Sequence, residues 1–239
     1  MIPVVLLPGM MCDARLFGPV MGAFAGHPVL HVPLVAGDDV DALAREVLAL
    51  APPRFALAGL SMGGIVAMAV LAAAPERVER LALLDTNPRA ELPEVRARRA
   101  GQIARARSGD LAGLMREEVM PHYLAPGARR DDILDLCLEM ALGLGPEVFA
   151  RQSAALRDRP DRQEVLAAYD GPALVLTGAH DRLCPMDRHD VMHRLLRNAR
   201  LAVLDGAGHL PPLEAPEETA AHLRRWLNRS REGRKGAEG

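Results

Sequence analysis

Ser61 stands in the run Gly59-Leu60-Ser61-Met62-Gly63, with Gly64 following. A serine hydroxyl is a poor nucleophile at neutral pH. It attacks a carbonyl only when a base within hydrogen-bond reach takes its proton and a third group orients that base. Two later stretches offer such groups. Gly178-Ala179-His180-Asp181, followed by Pro185, carries a carboxylate, and Asp205-Gly206-Ala207-Gly208-His209 carries an imidazole. Acyl transfer through a covalent serine intermediate is the chemistry these three types could do together. Average Gly and Ser usage gives a Gly-x-Ser-x-Gly by chance about once in ten chains of this length, so the motif takes its weight from its surroundings.

Those surroundings change periodicity at the serine. Residues 55–60 form an apolar run of strand length, and residues 65–74 form an unbroken apolar run rich in helix formers. A serine between strand end and helix start sits on a sharp turn, where neighbours at i−2 and i+2 must lack side chains. The next N–H, that of Met62, then lies at the positive end of a helix, where a developing oxyanion could sit.

The rest of the chain repeats this alternation. Strands are predicted at 4–7, 29–33, 55–60, 78–84, 172–177 and 200–204, with helices at 14–24, 38–50, 65–74, 186–196 and 215–227 between them. Strand, helix, strand in succession argues for a parallel sheet with right-handed crossovers, whose ligand sites lie at the C-terminal strand ends. Pro8-Gly9, Ser61 and Asp85 each follow a predicted strand and should share one rim. From 88 to 170 the strand signal vanishes. Five helical stretches, at 91–107, 110–120, 131–143, 146–157 and 162–169, are predicted to form a lid over that rim.

The order Ser61, Asp181, His209 resembles that of the α/β-hydrolase family. Four pieces carry the resemblance in the right order: Leu6-Leu7-Pro8-Gly9, the Gly-x-Ser-x-Gly turn, Gly178-x-x-Asp181-x-x-x-Pro185, and Gly208-His209 followed by Glu214-x-Pro216-Glu217. It covers residues 2–85 and 172–227. The resemblance implies an α/β-hydrolase fold trimmed to a mostly parallel sheet of about six strands, because the chain begins at what looks like the family's third strand. It implies a core of residues 1–87 and 171–228, a helical lid insertion at 88–170, and a tail at 229–239 expected to be disordered. By the same resemblance Ser61 is the nucleophile, His209 the general base and then acid, and Asp181 the group that orients His209. The backbone N–H groups of Met10 and Met62 are the expected oxyanion hole. Pro8 stands where many members have His. Some members place their acid where Asp85 stands, so Asp85 competes with Asp181 and is otherwise expected to cap or anchor a loop. The implied activity is hydrolysis of a small carboxylic ester, lactone or thioester. C–C hydrolases, lyases and ligand receptors also occur on this fold.

Composition bounds the alternatives. At 239 residues, 49% apolar and a formal charge of −2, the chain suits one α/β domain and neither disorder nor nucleic-acid binding. Residues 1–11 are apolar but short and broken by Pro3, Pro8 and Gly9, which argues for a buried strand and against a signal peptide or membrane helix. Cys12, Cys137 and Cys184 are odd in number and far apart, so the expectation is no disulfide framework, a reducing cytoplasm and small apolar packing roles. His189 and His193 have i, i+4 metal spacing without a third ligand and are expected on a solvated helix face. His180 and Asp205 are expected in solvated loops and turns, and His122 and Tyr123 in the lid's core or surface. No phosphate loop, cofactor or metal site is predicted, and the expected partner is a small-molecule substrate. Because the base must be neutral to act, activity should fall as the pH drops through about 6 to 7.

Overall fold

The computed structural model of the protein describes residues 1–127 and 130–229. Arg229 apart, the expected tail lies outside the described residues. Six strands, β1 (Val4–Leu7), β2 (Val29–His31), β3 (Phe55–Leu60), β4 (Val78–Leu84), β5 (Ala173–Gly178) and β6 (Ala199–Leu204), form one sheet in the order β2-β1-β3-β4-β5-β6. Every neighbouring pair is parallel, with Leu7 opposite Gly59, Leu60 opposite Leu84 and Gly178 opposite Leu204. The topology is that of a trimmed α/β-hydrolase sheet. The strand order reverses between β1 and β3, so the loops after these two strands run to opposite sides, which is where sheets of this kind place their ligand sites.

The apolar runs of β1, β3 and β5 are buried on both faces, which is what parallel strands covered by helices require. Alternate residues serve opposite sides. Leu6, Ala58, Leu84 and Leu176 pack with Phe17, Phe24, Leu223 and Trp226, whereas Val5, Leu57, Leu83 and Val175 pack with Leu43, Val66, Val70 and Met192. Beyond the turn at Ser61, helix α2 (Met62–Ala73) is buried through Leu71. Helix α1 (Val40–Leu50) starts two residues later than expected, because Asp39 accepts the N–H groups of Asp41 and Ala42 and so fixes the cap. The 14–24 segment is a 3₁₀ helix. It buries Leu16, Phe17, Val20 and Phe24 at helical spacing, but Pro19 inside it has no N–H to donate.

Between β4 and β5 the chain is helical: α3 (Pro93–Arg105), α4 (Leu111–Leu114), α5 (Arg130–Leu144), α6 (Pro146–Arg157) and α7 (Gln163–Ala167). Residues Ala106–Asp110 and Met115–Val119 are wider π turns, the first containing Gly109 with φ 96°, where a side chain would be strained. Leu114, Met140 and Phe149 of these helices join the same apolar core as the 3₁₀ helix and the C-terminal helix. After β5 come α8 (Met186–Leu195), a short α9 (Pro211–Glu214) absent from the expectations, and α10 (Pro216–Asn228).

Candidate active site

The turn from β3 into α2 bends at Ser61, whose φ of 53° and ψ of −114° lie outside the usual non-glycine regions. Such a conformation costs about 1–3 kcal/mol and persists only where its surroundings enforce it. The enforcement is visible. A Cβ on Gly59 would stand 2.2 Å from the carbonyl oxygen of Gly63, and one on Gly63 would stand 2.1 Å from that of Leu7, so neither position admits a side chain. Thr86, on the loop after β4, donates its hydroxyl to the Ser61 carbonyl at 2.7 Å, and Ser61 donates its own N–H to Leu84 at 2.9 Å.

The loop after β1 runs alongside. A Cβ on Gly9 would lie 3.7 Å from Cβ of Ser61. Among the described residues, the N–H groups of Met10 and Met62 enter no backbone or side-chain hydrogen bond, so both remain available as donors. Met11, at φ 56°, gives its N–H to Oε1 of Gln152 on α6 at 2.9 Å, and the same amide donates through Nε2 to the carbonyl of Leu34 at 2.8 Å. Gln152 is buried and was not singled out from the sequence. The one available signal was a polar residue in line with Val148, Phe149 and Leu156 on a buried helix face.

Asp181 and His209 meet. Nδ1 of His209 lies 2.9 and 3.0 Å from the two carboxylate oxygens of Asp181, and both side chains are buried. One of those oxygens also accepts the N–H groups of Leu183 and Cys184 at 2.8 and 2.9 Å. Burial alone would raise the pKa of Asp181. The charge and hydrogen bond of His209, with the N–H groups of Cys184 and Leu183, outweigh it and hold the carboxyl below its ordinary range. The His209 loop is tied on two sides. Its backbone N–H donates to the carbonyl of Tyr123 at 2.6 Å, and the Tyr123 ring stacks on the imidazole with centroids 6.0 Å apart. Glu214 accepts the N–H groups of Gly208 and Leu210, each at 2.9 Å, and that of Ala125 at 2.8 Å. Burial pushes the Glu214 pKa up against the pull of those donors.

The structure therefore joins Asp181 to His209 and puts Ser61, half-buried, on the same rim. Oγ of Ser61 forms no hydrogen bond with His209 in this conformation; such contacts are often loose until substrate is bound. Asp85 forms no hydrogen bond with His209 either. It follows β4 at φ 43° and accepts the Gly178 N–H at 2.9 Å, which anchors the end of β5. His180, Asp205, His122 and His193 are exposed, and Tyr123 is buried.

His189 corrects the expectation of a solvated face. It is fully buried, because it falls in line with Met192 and Leu196, three and seven residues on, which pack into the core. That spacing was readable. The three cysteines are free and buried, and burial pushes their thiols up, to about 12 for Cys137, so none is a ready thiolate. Asp181 with Cys184 and His209, and Asp85 with Asp181 and His189, bring ligand atoms within 4.8 Å of one another. Both sets use the carboxylate that pairs with His209, so a cation in either would compete with the imidazole. A cavity of about 720 Å³ opens at the opposite end of the sheet, lined by Leu71, Val78, Tyr169 and Pro172, and none of its residues belongs to this rim.

A sequence model described as the alpha/beta hydrolase family matches residues 4–222. The chain belongs to the alpha/beta hydrolase family. With this membership the expected fold and the expected class, an enzyme of hydrolase type, both hold. Among curated relatives it is similar to pimeloyl-[acyl-carrier protein] methyl ester esterase of Xanthomonas campestris pv. campestris, with 26% identity over 94% of each chain. The enzyme of that name from Neisseria meningitidis serogroup C is 28% identical over 79% of this chain and 75% of its own. Among solved structures, a thermophilic esterase from Thermogutta terrifontis, with malate bound, superposes with a TM-score of 0.85 at 29% identity, over 95% of this chain and 89% of that one. The enol-lactonase of Burkholderia xenovorans LB400 superposes equally well, at 0.85 over 96% and 92%, with 24% identity. Among the described residues no helix is long and apolar enough to cross a membrane.

Proposed function

We propose that the protein is a serine hydrolase that cleaves a small carboxylic ester, lactone or thioester through an acyl-enzyme on Ser61. The observation that carries the reading is the Asp181–His209 pair. With Nδ1 held by the carboxylate, Nε2 is the ring nitrogen left to take a proton on the rim where Ser61 stands.

In this reading Nε2 of His209 takes the Ser61 proton as Oγ attacks the carbonyl carbon. The tetrahedral oxyanion is held by the N–H groups of Met10 and Met62, and losing one such donor typically costs about 3 kcal/mol of transition-state stabilisation. The imidazolium, stabilised by Asp181, then returns its proton to the departing alcohol or thiol. A water molecule, deprotonated by the same nitrogen, attacks the acyl-enzyme, releases the acid and restores Ser61. The helices between β4 and β5 act as the lid, and their Tyr123–Ala125 segment bonds to the His209 loop. Ester cleavage is favoured by relatives that are named esterases across most of their length. Free, buried cysteines suit a reducing compartment, and we assign the cytoplasm on that ground.

The test is labelling with a fluorophosphonate probe alongside turnover of a panel of short p-nitrophenyl, methyl and thioesters. Ser61→Ala should abolish both. Labelling that survives in that variant, or a wild-type protein silent to the probe yet binding a ligand tightly, would replace the enzyme with a receptor of the same fold.

A further inference from the structure

Behind Asp181 the fold buries one carboxyl and one imidazole for which the reaction above has no use. Asp85 and His189 are both fully buried. Oδ1 of Asp85 accepts the Gly178 N–H at 2.9 Å and the Thr177 hydroxyl at 3.2 Å, whereas Oδ2 has no partner. Among the described residues neither ring nitrogen of His189 makes a well-formed hydrogen bond, the backbone of Pro185 offering only a weak one. One carboxyl oxygen of Asp85, one of Asp181 and one nitrogen of His189 lie within 4.8 Å of one another.

Two ionised carboxylates cannot share so small a space away from water unless a cation stands between them. The groups facing Asp85 supply none. From β5 comes the Thr177 hydroxyl, from the following loop come Asp181 and the Cys184 thiol, from α8 comes His189, and beyond Asp181 lies His209, whose Nδ1 is committed to that carboxylate. Arg159 is buried in an ion pair with Glu91, and Arg188 pairs with Asp187. Burial holds His189 neutral, its pKa lowered to about 4. One carboxyl must therefore keep its proton. Asp181 takes two backbone N–H groups and the imidazole, which favours its charged form, so the proton falls to Asp85. Burial, followed by the charge of Asp181, pushes the Asp85 pKa well above the carboxylate range.

We propose that Asp85 is a neutral carboxylic acid at neutral pH, and that it donates the proton on Oδ2 to Asp181. It is a positioning residue: it fixes the carboxylate that fixes His209. Its role in turnover rests on the reading of Ser61, Asp181 and His209 given above, but its protonation does not.

The first readout accordingly needs no activity. The infrared difference between wild type and Asp85→Asn at pH 7 should contain the carbonyl band of a protonated carboxyl in the wild type alone. The second is kinetic. Asp85→Ala, with no donor, should lower kcat by about tenfold or more, and Asp85→Asn, whose amide can donate, should recover most of it. The acid limb of kcat/KM should stay in place in Asp85→Asn. Had Asp85 been ionised, removing its charge would disfavour the imidazolium and move that limb to lower pH by about half a unit or more. No carboxyl band lost, a moved limb, or equal loss in both variants overturns the proposal. Should Asp85→Ala fail to fold, the band and the limb of Asp85→Asn decide. A normal infrared result with an inactive wild type would refute the reaction and leave the protonated Asp85 standing.

Discussion

The amide oxygen of Gln152 accepts the backbone N–H of Met11 at 2.9 Å, across 141 residues of sequence. A helix of the segment between β4 and β5 thereby holds the residue that follows Met10, whose own N–H is unpaired among the described residues. The other end of the same amide holds Leu34, on the loop after β2.

Replacing Gln152 with Leu keeps the bulk and removes both bonds, leaving a buried N–H and a buried carbonyl unpaired at a cost of about 1–3 kcal/mol. On the proposed role of the Met10 N–H as an oxyanion donor, kcat should also fall, by about 10- to 100-fold, with KM nearly unchanged. Thermal melts and steady-state kinetics check the two effects separately. A lower melting temperature with wild-type kcat would reduce Gln152 to a structural brace.

Asp181→Asn leaves the shape of the site and removes the charge that selects the His209 tautomer. The expected loss in kcat is about 10³- to 10⁴-fold with substrate binding little altered. More than a tenth of wild-type activity in this variant would mean that the imidazole is oriented without the charge of Asp181.

The sheet and the candidate triad were legible because each rests on a local pattern. β1 and β3 fall on residues 4–7 and 55–60 as read, since unbroken apolar runs of that length leave no other element to form. Asp181 and His209 follow strands that the same patterns place side by side. What was missed depends on contacts between distant segments. No local feature gives Gln152 its two loop partners, and Tyr123 earns its place beside His209 only through the packing of the inserted helices. The 3₁₀ form of residues 14–24 turns on Pro19, which interrupts α-helical bonding without disturbing the apolar spacing that suggested a helix.

Two glycines of the His209 loop make a matched pair. A Cβ on Gly208 would stand 2.6 Å from the carbonyl oxygen of Tyr123 and 2.7 Å from the Ala125 nitrogen, both backbone atoms that cannot swing away, whereas a Cβ on Gly206 meets nothing within 4 Å. Gly208→Ala should therefore cost about 1–3 kcal/mol and displace the loop that carries His209, while Gly206→Ala stays within about 0.5 kcal/mol of wild type. Denaturant melts and ester turnover of the two variants test this. Equal stabilities would mean that the 123–125 segment does not press on the loop as described.

His189 gives the fold an acid sensitivity of its own. Its pKa is about 4 in the folded protein, lowered by burial, and about 6.5 in the unfolded chain. Between those values the unfolded state binds a proton that the folded state refuses. Its contribution is therefore undiminished above about pH 6.5, and stability is lost as the pH falls toward 4, by up to about 3 kcal/mol. Asp85, with a raised pKa, works in the opposite sense, costing stability as the pH rises above the ordinary carboxylate range. Asp181, with a lowered one, loses its contribution only as the pH falls below that range. Both are present with and without the imidazole, so they cancel to first order when His189→Leu is compared with wild type. The variant should be close to wild type in stability at pH 7, since neither ring nitrogen makes a well-formed hydrogen bond, and should lose less stability between pH 6.5 and 4.5. Parallel stability curves over that interval would mean that His189 takes up its proton within the folded protein, and would require a partner among the carboxyls beside it.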